Sequence, residues 1–320
     1  TAGDVDEEPP SGSALSESVN GDASSANSTN EYVLGSSNAE TYYGGYNYDV
    51  VLTQNNDPVK NASVSLSVNG VTYTQSTDDD GKVSIPLNLE DGSYVISAYY
   101  GNAVNKTKVK VASPIKASDL TKTYKNSKKY TATFLNSKGK ALKNADVKFI
   151  LNGKTYTKKT NSKGVASLDI DLKVGTYRIY IVHPNGYKTS KKITIKTSVI
   201  AHDLEKHYLS SKSFTATFYG KDGKVLANKN VKFVAHGKTF NVKTNSKGVA
   251  SIAVISKPST FKIQSVNTQT GEKKTCTVKV LPTMTADKMT VFSDKTSTFK
   301  VKLYKNEKLV KNAKVYVYIK

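Results

Sequence analysis

The octapeptide Thr-Asn-Ser-Lys-Gly-Val-Ala-Ser occurs twice without change, at 160–167 and at 244–251, and a weaker form, Thr-Asp-Asp-Asp-Gly-Lys-Val-Ser, occupies 77–84. Recurrence at a fixed spacing marks an array of similar units, and it constrains the fold before any local feature does. The asparagine ahead of one strand gives the period independently: Asn61, Asn144, Asn228 and Asn312 are separated by steps of 83, 84 and 84. Three copies and the beginning of a fourth follow, the fourth reaching Lys320 after its third strand.

Each period reads as short strands. Apolar residues alternate in Tyr48, Val50, Leu52; Tyr130, Ala132, Phe134; Phe214, Ala216, Phe218; and Phe299, Val301, Leu303. They alternate again in Val64, Leu66, Val68; Val147, Phe149, Leu151; Val231, Phe233, Ala235; and Val315, Val317, Ile319. A period of two with one apolar face predicts half-buried antiparallel strands, and the Thr on the other face agrees. Asn69-Gly70, Asn152-Gly153 and His236-Gly237 predict two-residue hairpins, where both turn residues need positive φ. Asn161-Ser-Lys-Gly164 predicts a four-residue turn leading into a core strand through Ala166, Leu168, Ile170 and Leu172, so the octapeptide is structural rather than a ligand loop.

Gly-x-Tyr at Tyr94 and Tyr177 sets a tyrosine at the start of the next strand. This looks like the tyrosine corner of immunoglobulin-like sandwiches, whose hydroxyl bonds to upstream backbone. The third copy has Phe261 there and loses the hydroxyl. The fold predicted is all-β: tandem immunoglobulin-like sandwiches of about seven strands each, in an elongated array. A disordered, acidic Ser/Asn/Gly-rich tail is expected at 1–35, a divergent domain at 36–112, regular domains at 113–198 and 199–282, and an incomplete one at 283–320.

Charge is distributed unevenly. Residues 1–60 carry a net −9, residues 61–111 a net −1 and residues 112–320 a net +31, giving +21 overall. Only Arg178 among the 47 basic residues is an arginine. Lysine is a hydrated point charge without a bidentate fork, so these faces suit diffuse attraction to polyanions better than specific nucleic-acid readout. No stretch approaches the apolar length of a membrane helix.

Site signals are sparse. No phosphate loop, nucleophile elbow or zinc-peptidase helix is present, no cofactor is implied, and the chain reads as a non-enzyme. His183, His202, His207 and His236 are read as solvated loop residues without the partners of a metal set. Asp78-Asp79-Asp80-Gly81 could attract Ca²⁺, but the same turn is Asn-Ser-Lys-Gly in the next two copies, so an acidic turn is the reading adopted. Sequons at Asn27, Asn61 and Asn105 are candidate N-glycosylation sites if the chain is exported. The run Tyr42, Tyr43, Tyr46, Tyr48 overlaps the first domain's opening strands, so core and corner packing is expected to account for half of it, with stacking on sugars or bases as the alternative for the rest. Lys, Asn and acids abound, as an intramolecular Lys–Asn isopeptide bond requires, but the spacing nominates no triad.

The order Asp-Leu-x-Lys-x-Tyr, (Tyr/Phe)-Thr-Ala-Thr-Phe, Asn-x-x-Val-Lys-Phe, Gly-Lys-Thr-(Tyr/Phe), Thr-Asn-Ser-Lys-Gly-Val-Ala-Ser runs from Asp119 to Ser167 and again from Asp203 to Ser251. It resembles the immunoglobulin-like repeats of adhesin-like surface proteins of methanogenic archaea, over roughly residues 40–320. The resemblance implies an extracellular, surface-attached stalk and supplies no catalytic residues. Expected partners are anionic cell-wall polymers or surface glycans, met through lysine. Two alternatives remain: a filament subunit whose incomplete C-terminal domain is completed by strands of another copy, and a basic binder of nucleic acid or another polyanion.

Overall fold

The computed structural model describes residues 31–36, 40–44, 46–290 and 295–318, and every regular element among them is a β-strand. Two compact units are formed. Of the described residues, one takes in those up to 36 with 49–85 and 95–107; the other takes in those of 40–48, 86–94 and 108–318.

The second unit holds the two most regular copies, and each is a sandwich of a three-stranded and a five-stranded sheet. In the second copy the smaller sheet has the order Ile115–Ala117, Tyr130–Phe134, Val165–Leu168. The larger has the order Leu120–Thr123, Lys188–Lys196, Gly175–Val182, Asp146–Leu151, Lys154–Lys159. The third copy repeats both, with Val199–Ala201, Ser213–Phe218, Val249–Ala253 against Leu204–His207, Lys273–Leu281, Ser259–Val266, Asn230–Ala235, Lys238–Lys243. Fold class is therefore tandem immunoglobulin-like β-sandwiches.

Eight strands stand where about seven were expected, because the opening strand divides between the sheets. Ile115–Ala117 pairs antiparallel in one and Leu120–Thr123 parallel to Lys188–Lys196 in the other. Asp119 sits at the crossover and its Oδ1 accepts the Lys192 N–H at 2.8 Å; Asp203 does the same for Thr277 N–H at 2.6 Å.

The inward residues are those the alternation marks. Tyr130, Phe134, Phe149, Ile179 and Ile181 fill the second core, with Phe134 and Phe149 edge to face at 6.2 Å. Phe214, Phe218, Phe233, Ile263 and Val278 fill the third. The spacing asparagines share one backbone state: φ is 52° at Asn61, 51° at Asn144, 55° at Asn228 and 57° at Asn312. Asparagine is among the few residues other than glycine that adopt this left-handed region readily, which accounts for its recurrence. The hairpin pairs Asn69-Gly70, Asn152-Gly153 and His236-Gly237 have positive φ at both residues. Tyr94 Oη donates to Glu90 O at 2.9 Å and Tyr177 Oη to Lys173 O at 3.0 Å.

In the first unit, Ser63–Val68 pairs with Val71–Ser76 and with Ser97–Tyr99, while Tyr32–Ser36 pairs with Val50–Gln54. The latter strand starts inside the stretch expected to be disordered tail. Leu34 explains it, being buried to 5% exposure within the alternation. Residues 1–30 of that expected tail, and the sequon at Asn27, lie outside the described residues. In the fourth copy, Val315 and Val317 are 42% and 57% exposed, where their counterparts Val231 and Phe233 are fully buried.

Candidate functional site

The outward faces of the five-stranded sheets in the second and third copies carry lysines. Alternation sends Val147, Phe149 and Leu151 inward and Lys148 outward, and cross-strand register sets Lys148 beside Val182 and Arg178 beside Lys192. Tyr180 lies on the same face, 38% exposed, with the Lys188 ammonium 4.4 Å from its ring centroid. Arg178 Nη1 donates to Ser190 Oγ at 3.0 Å. In the third copy the corresponding face bears Lys232, Lys243, Lys262 and Lys273, with Gln264 in place of the tyrosine.

Little of this charge is neutralised. Residues 113–282 contain 32 lysines and 8 acids, and the lysine–carboxylate pairs there are Lys125–Asp171, Lys129–Asp169, Lys159–Asp146 and Lys279–Glu205, all exposed. Exposed pairs contribute at most about 1 kcal/mol each. Most of these lysines therefore meet no carboxylate, and the field of the exposed ones falls off over roughly 8 Å at physiological salt. Lysines on Lys154–Lys159 and Lys238–Lys243, the sheet edges, also oppose edge-to-edge pairing.

Several singled-out residues have structural roles. Asp78 Oδ1 accepts the N–H groups of Asp80 and Lys82, at 3.0 and 2.8 Å, and Asn161 Oδ1 does the same for Lys163 and Val165. The acidic turn and the Asn-Ser-Lys-Gly turn are one device. Among the described residues no group of three His, Cys, Asp or Glu is placed to hold a metal. The sequons differ: Asn61 is exposed in a turn, whereas Asn105 is half-buried in a strand and its Nδ2 donates to Leu34 O at 3.0 Å. From the tyrosine run, Tyr48 is wholly buried and Tyr43 packs on Tyr187 at 5.1 Å.

The reading of the histidines as solvated needs correction at two positions. His183 is 6% exposed; its Nε2 donates to Leu135 O at 2.9 Å while Nδ1 accepts from Asn185 N–H at 3.1 Å. Burial pulls this imidazole below its ordinary pKa. Asn267 takes the same place in the third copy and donates to Tyr219 O at 2.8 Å. His207 stacks on Tyr304 at 4.0 Å and meets Glu307 at 2.9 Å. A polar plug at a sheet end was missed because the two copies fill it with different residue types.

Two buried lysines were also missed. Lys122 is 6% exposed, its Nζ donating to Ile170 O at 2.7 Å and Lys128 O at 3.1 Å. Lys206 is 3% exposed and donates to Ser210 O at 2.6 Å and Val254 O at 3.0 Å. Burial lowers both ammonium pKa values. Both Nζ atoms are held by backbone carbonyls rather than by an asparagine amide.

No protein-family model and no curated protein sequence matches the chain. Solved structures do. The Bacteroides ovatus SGBP-B protein of the mixed-linkage glucan utilization locus, in complex with a mixed-linkage heptasaccharide, is 14% identical, with TM-score 0.22, covering 77% of this chain and 66% of that one. A 1.5-MDa bacterial ice-binding adhesin is 15% identical, with TM-score 0.23, over 78% of this chain and 98% of that one. The titin fragment I67–I69 is 10% identical, with TM-score 0.23, over 79% and 96%.

Proposed function

We propose that this chain is a non-catalytic, extracellular surface protein whose tandem sandwiches act as a spacer and whose lysine faces associate with anionic wall polymers or surface glycans. The observation that carries this reading is the pairing count: 32 lysines stand in residues 113–282, and four of them meet a carboxylate among the described residues. Field from such a surface raises local polyanion concentration without specific contacts. Asn61, exposed in its turn, is the position best suited to carry a glycan, and Asn105 is the poorer one.

The test is retention of the intact chain on an immobilised uronate polymer and on neutral dextran over a salt series. Retention on the polyuronate alone, lost on going from about 50 to 500 mM salt as the Debye length shrinks, is expected. Equal retention on dextran, or none on either, would overturn the reading.

A further inference from the structure

The second and third copies are identical over the octapeptide and diverge immediately after it. Asp169, Ile170, Asp171 and Leu172 correspond to Ala253, Val254, Ile255 and Ser256. Four further exchanges fall around the same sheet end: Leu151 to Ala235, Asn152 to His236, Tyr156 to Phe240 and Tyr177 to Phe261. The result is an open apolar cleft of about 350 Å³, lined by Ala235, His236, Phe240, Val254, Ile255 and Phe261 among others.

The exchanges are concerted. In the second copy Asp171 pairs with Lys125 at 2.8 Å and Asp169 with Lys129 at 3.1 Å. The third copy replaces both members of each pair: Ile255 and Leu209 stand for the first, Ala253 and Ser213 for the second. Leu209 and Ile255 are 74% and 90% exposed, although two large aliphatic side chains gain nothing from water. Lys206 brings them to one edge, since its Nζ bonds the carbonyls of Ser210 and Val254, the neighbours of each. Core residues at that end are also uncovered. Leu168 and Ile170 are buried, at 3% and 6% exposure, but Ile252 and Val254 at the same positions are half-buried. Loss of a leucine side chain at Ala235 and of the Tyr177 hydroxyl anchor leaves the Phe261 ring against His236, at 4.2 Å.

A cleft of this volume, mostly apolar and aromatic with few polar groups, has the make-up of a binding pocket. Its charge selects the occupant. None of the four acids of residues 199–282 (Asp203, Glu205, Asp222, Glu272) lines it, Lys238 does, and the copy as a whole carries 14 lysines against those four acids. We infer that the third copy docks an acidic protein segment through one bulky aromatic or branched aliphatic side chain inserted between Phe240, Ile255 and Phe261. The anchor supplies apolar burial, and the flanking carboxylates meet Lys238 and the positive field of a copy with 14 lysines and four acids.

The experiment follows backbone amides of the full chain by NMR during titration with the peptide acetyl-Glu-Asp-Phe-Asp-Glu-amide. Two control peptides replace its Phe by Ala, or its acids by Gln and Asn. Saturable shifts at His236, Phe240, Ile255 and Phe261 are expected, with at least tenfold weaker binding of both controls. Ala235→Leu, which restores the second copy's side chain, and the pair Leu209→Lys with Ile255→Asp, which restores its ion pair, should each weaken binding at least tenfold. Both changes copy an arrangement the second sandwich already holds, and unchanged amide positions elsewhere verify folding. Equal shifts at Asn152, Tyr156, Asp171 and Tyr177, full affinity in a folded Ala235→Leu chain, equal binding of either control, or no saturable shift would each overturn the inference.

Discussion

Tyr130 carries a hydroxyl at a position where the fold has no use for one. It is 1% exposed and its Oη has no hydrogen-bond partner; Tyr48 in the first copy is in the same state. The third copy holds Phe214 at this point and packs it edge to face on Phe233 at 5.7 Å, much as Tyr130 meets Phe149 at 6.0 Å. A buried, unpaired hydroxyl costs about 1–3 kcal/mol, so Tyr130→Phe should stabilise the second copy by about 1 kcal/mol in urea unfolding. Burial also pushes the Tyr130 phenol from 10 up to about 12. The folded state thus holds the proton more tightly than the unfolded chain, and stability intact below pH 10 falls as pH climbs through about 12. Tyr130→Phe should flatten that decline. Destabilisation by more than about 1 kcal/mol would mean that the hydroxyl has a partner.

The octapeptide becomes intelligible as an element. Thr160 is 2% exposed; its Oγ1 donates to Leu142 O at 2.6 Å and accepts from Ala145 N–H at 2.9 Å. Thr77 does the same with Val59 O and Ala62 N–H, and Thr244 with Leu226 O and Lys229 N–H. Gly164 is left-handed at φ 73°, and a Cβ there would fall 2.5 Å from Phe134 O. Ala166 pairs across Ala132 in the core. Nothing in the structure accounts for the identity of the exposed Ser162 and Lys163. Thr160→Val keeps the shape and leaves two half-buried backbone groups without their partner, so it should cost about 1–3 kcal/mol, against under about 0.5 kcal/mol for Ser162→Ala; equal losses in denaturant titration would refute the clamp. Strands and turns were legible because Phe149, Phe233 and their neighbours obey a period of two and Asn144 and Asn228 mark left-handed turns. The divided opening strand was not, since it depends on Asp119 catching Lys192 across 73 residues. Lys122 and Lys206 were hidden by number: among so many outward lysines, two inward ones leave no mark in the pattern. The cleft of the third copy was legible only in part, through the loss of Tyr177's hydroxyl at Phe261.

At the scale of the chain, the second and third copies lie in one compact unit, yet their cores share no residue and their strands pair within each copy. The side-chain hydrogen bonds at their junction are few: Asn126 Nδ2 donates to Lys221 O at 2.5 Å, and Glu272 holds the linker, accepting from Thr197 Oγ1 at 2.6 Å and from Ser198 Oγ at 2.7 Å and N–H at 2.5 Å. Such bonds contribute about 0.5–1.5 kcal/mol each, whereas a folded domain is held by about 5–15 kcal/mol. The magnitudes favour copies that yield one at a time under load, as nearest-neighbour arrays do. A spacer built this way lengthens in steps instead of failing as a whole. Each copy repeats at 84 residues, which extend to about 280–300 Å. Pulling the chain from its ends should therefore give equal release steps of that contour length, less the end-to-end distance of the folded sandwich, for the second and third copies. Glu272→Ala should leave the step length unchanged, because it loosens the linker and not a core. One step of about twice the length would mean that the two sandwiches unfold together, and the independence on which the spacer reading depends would fail.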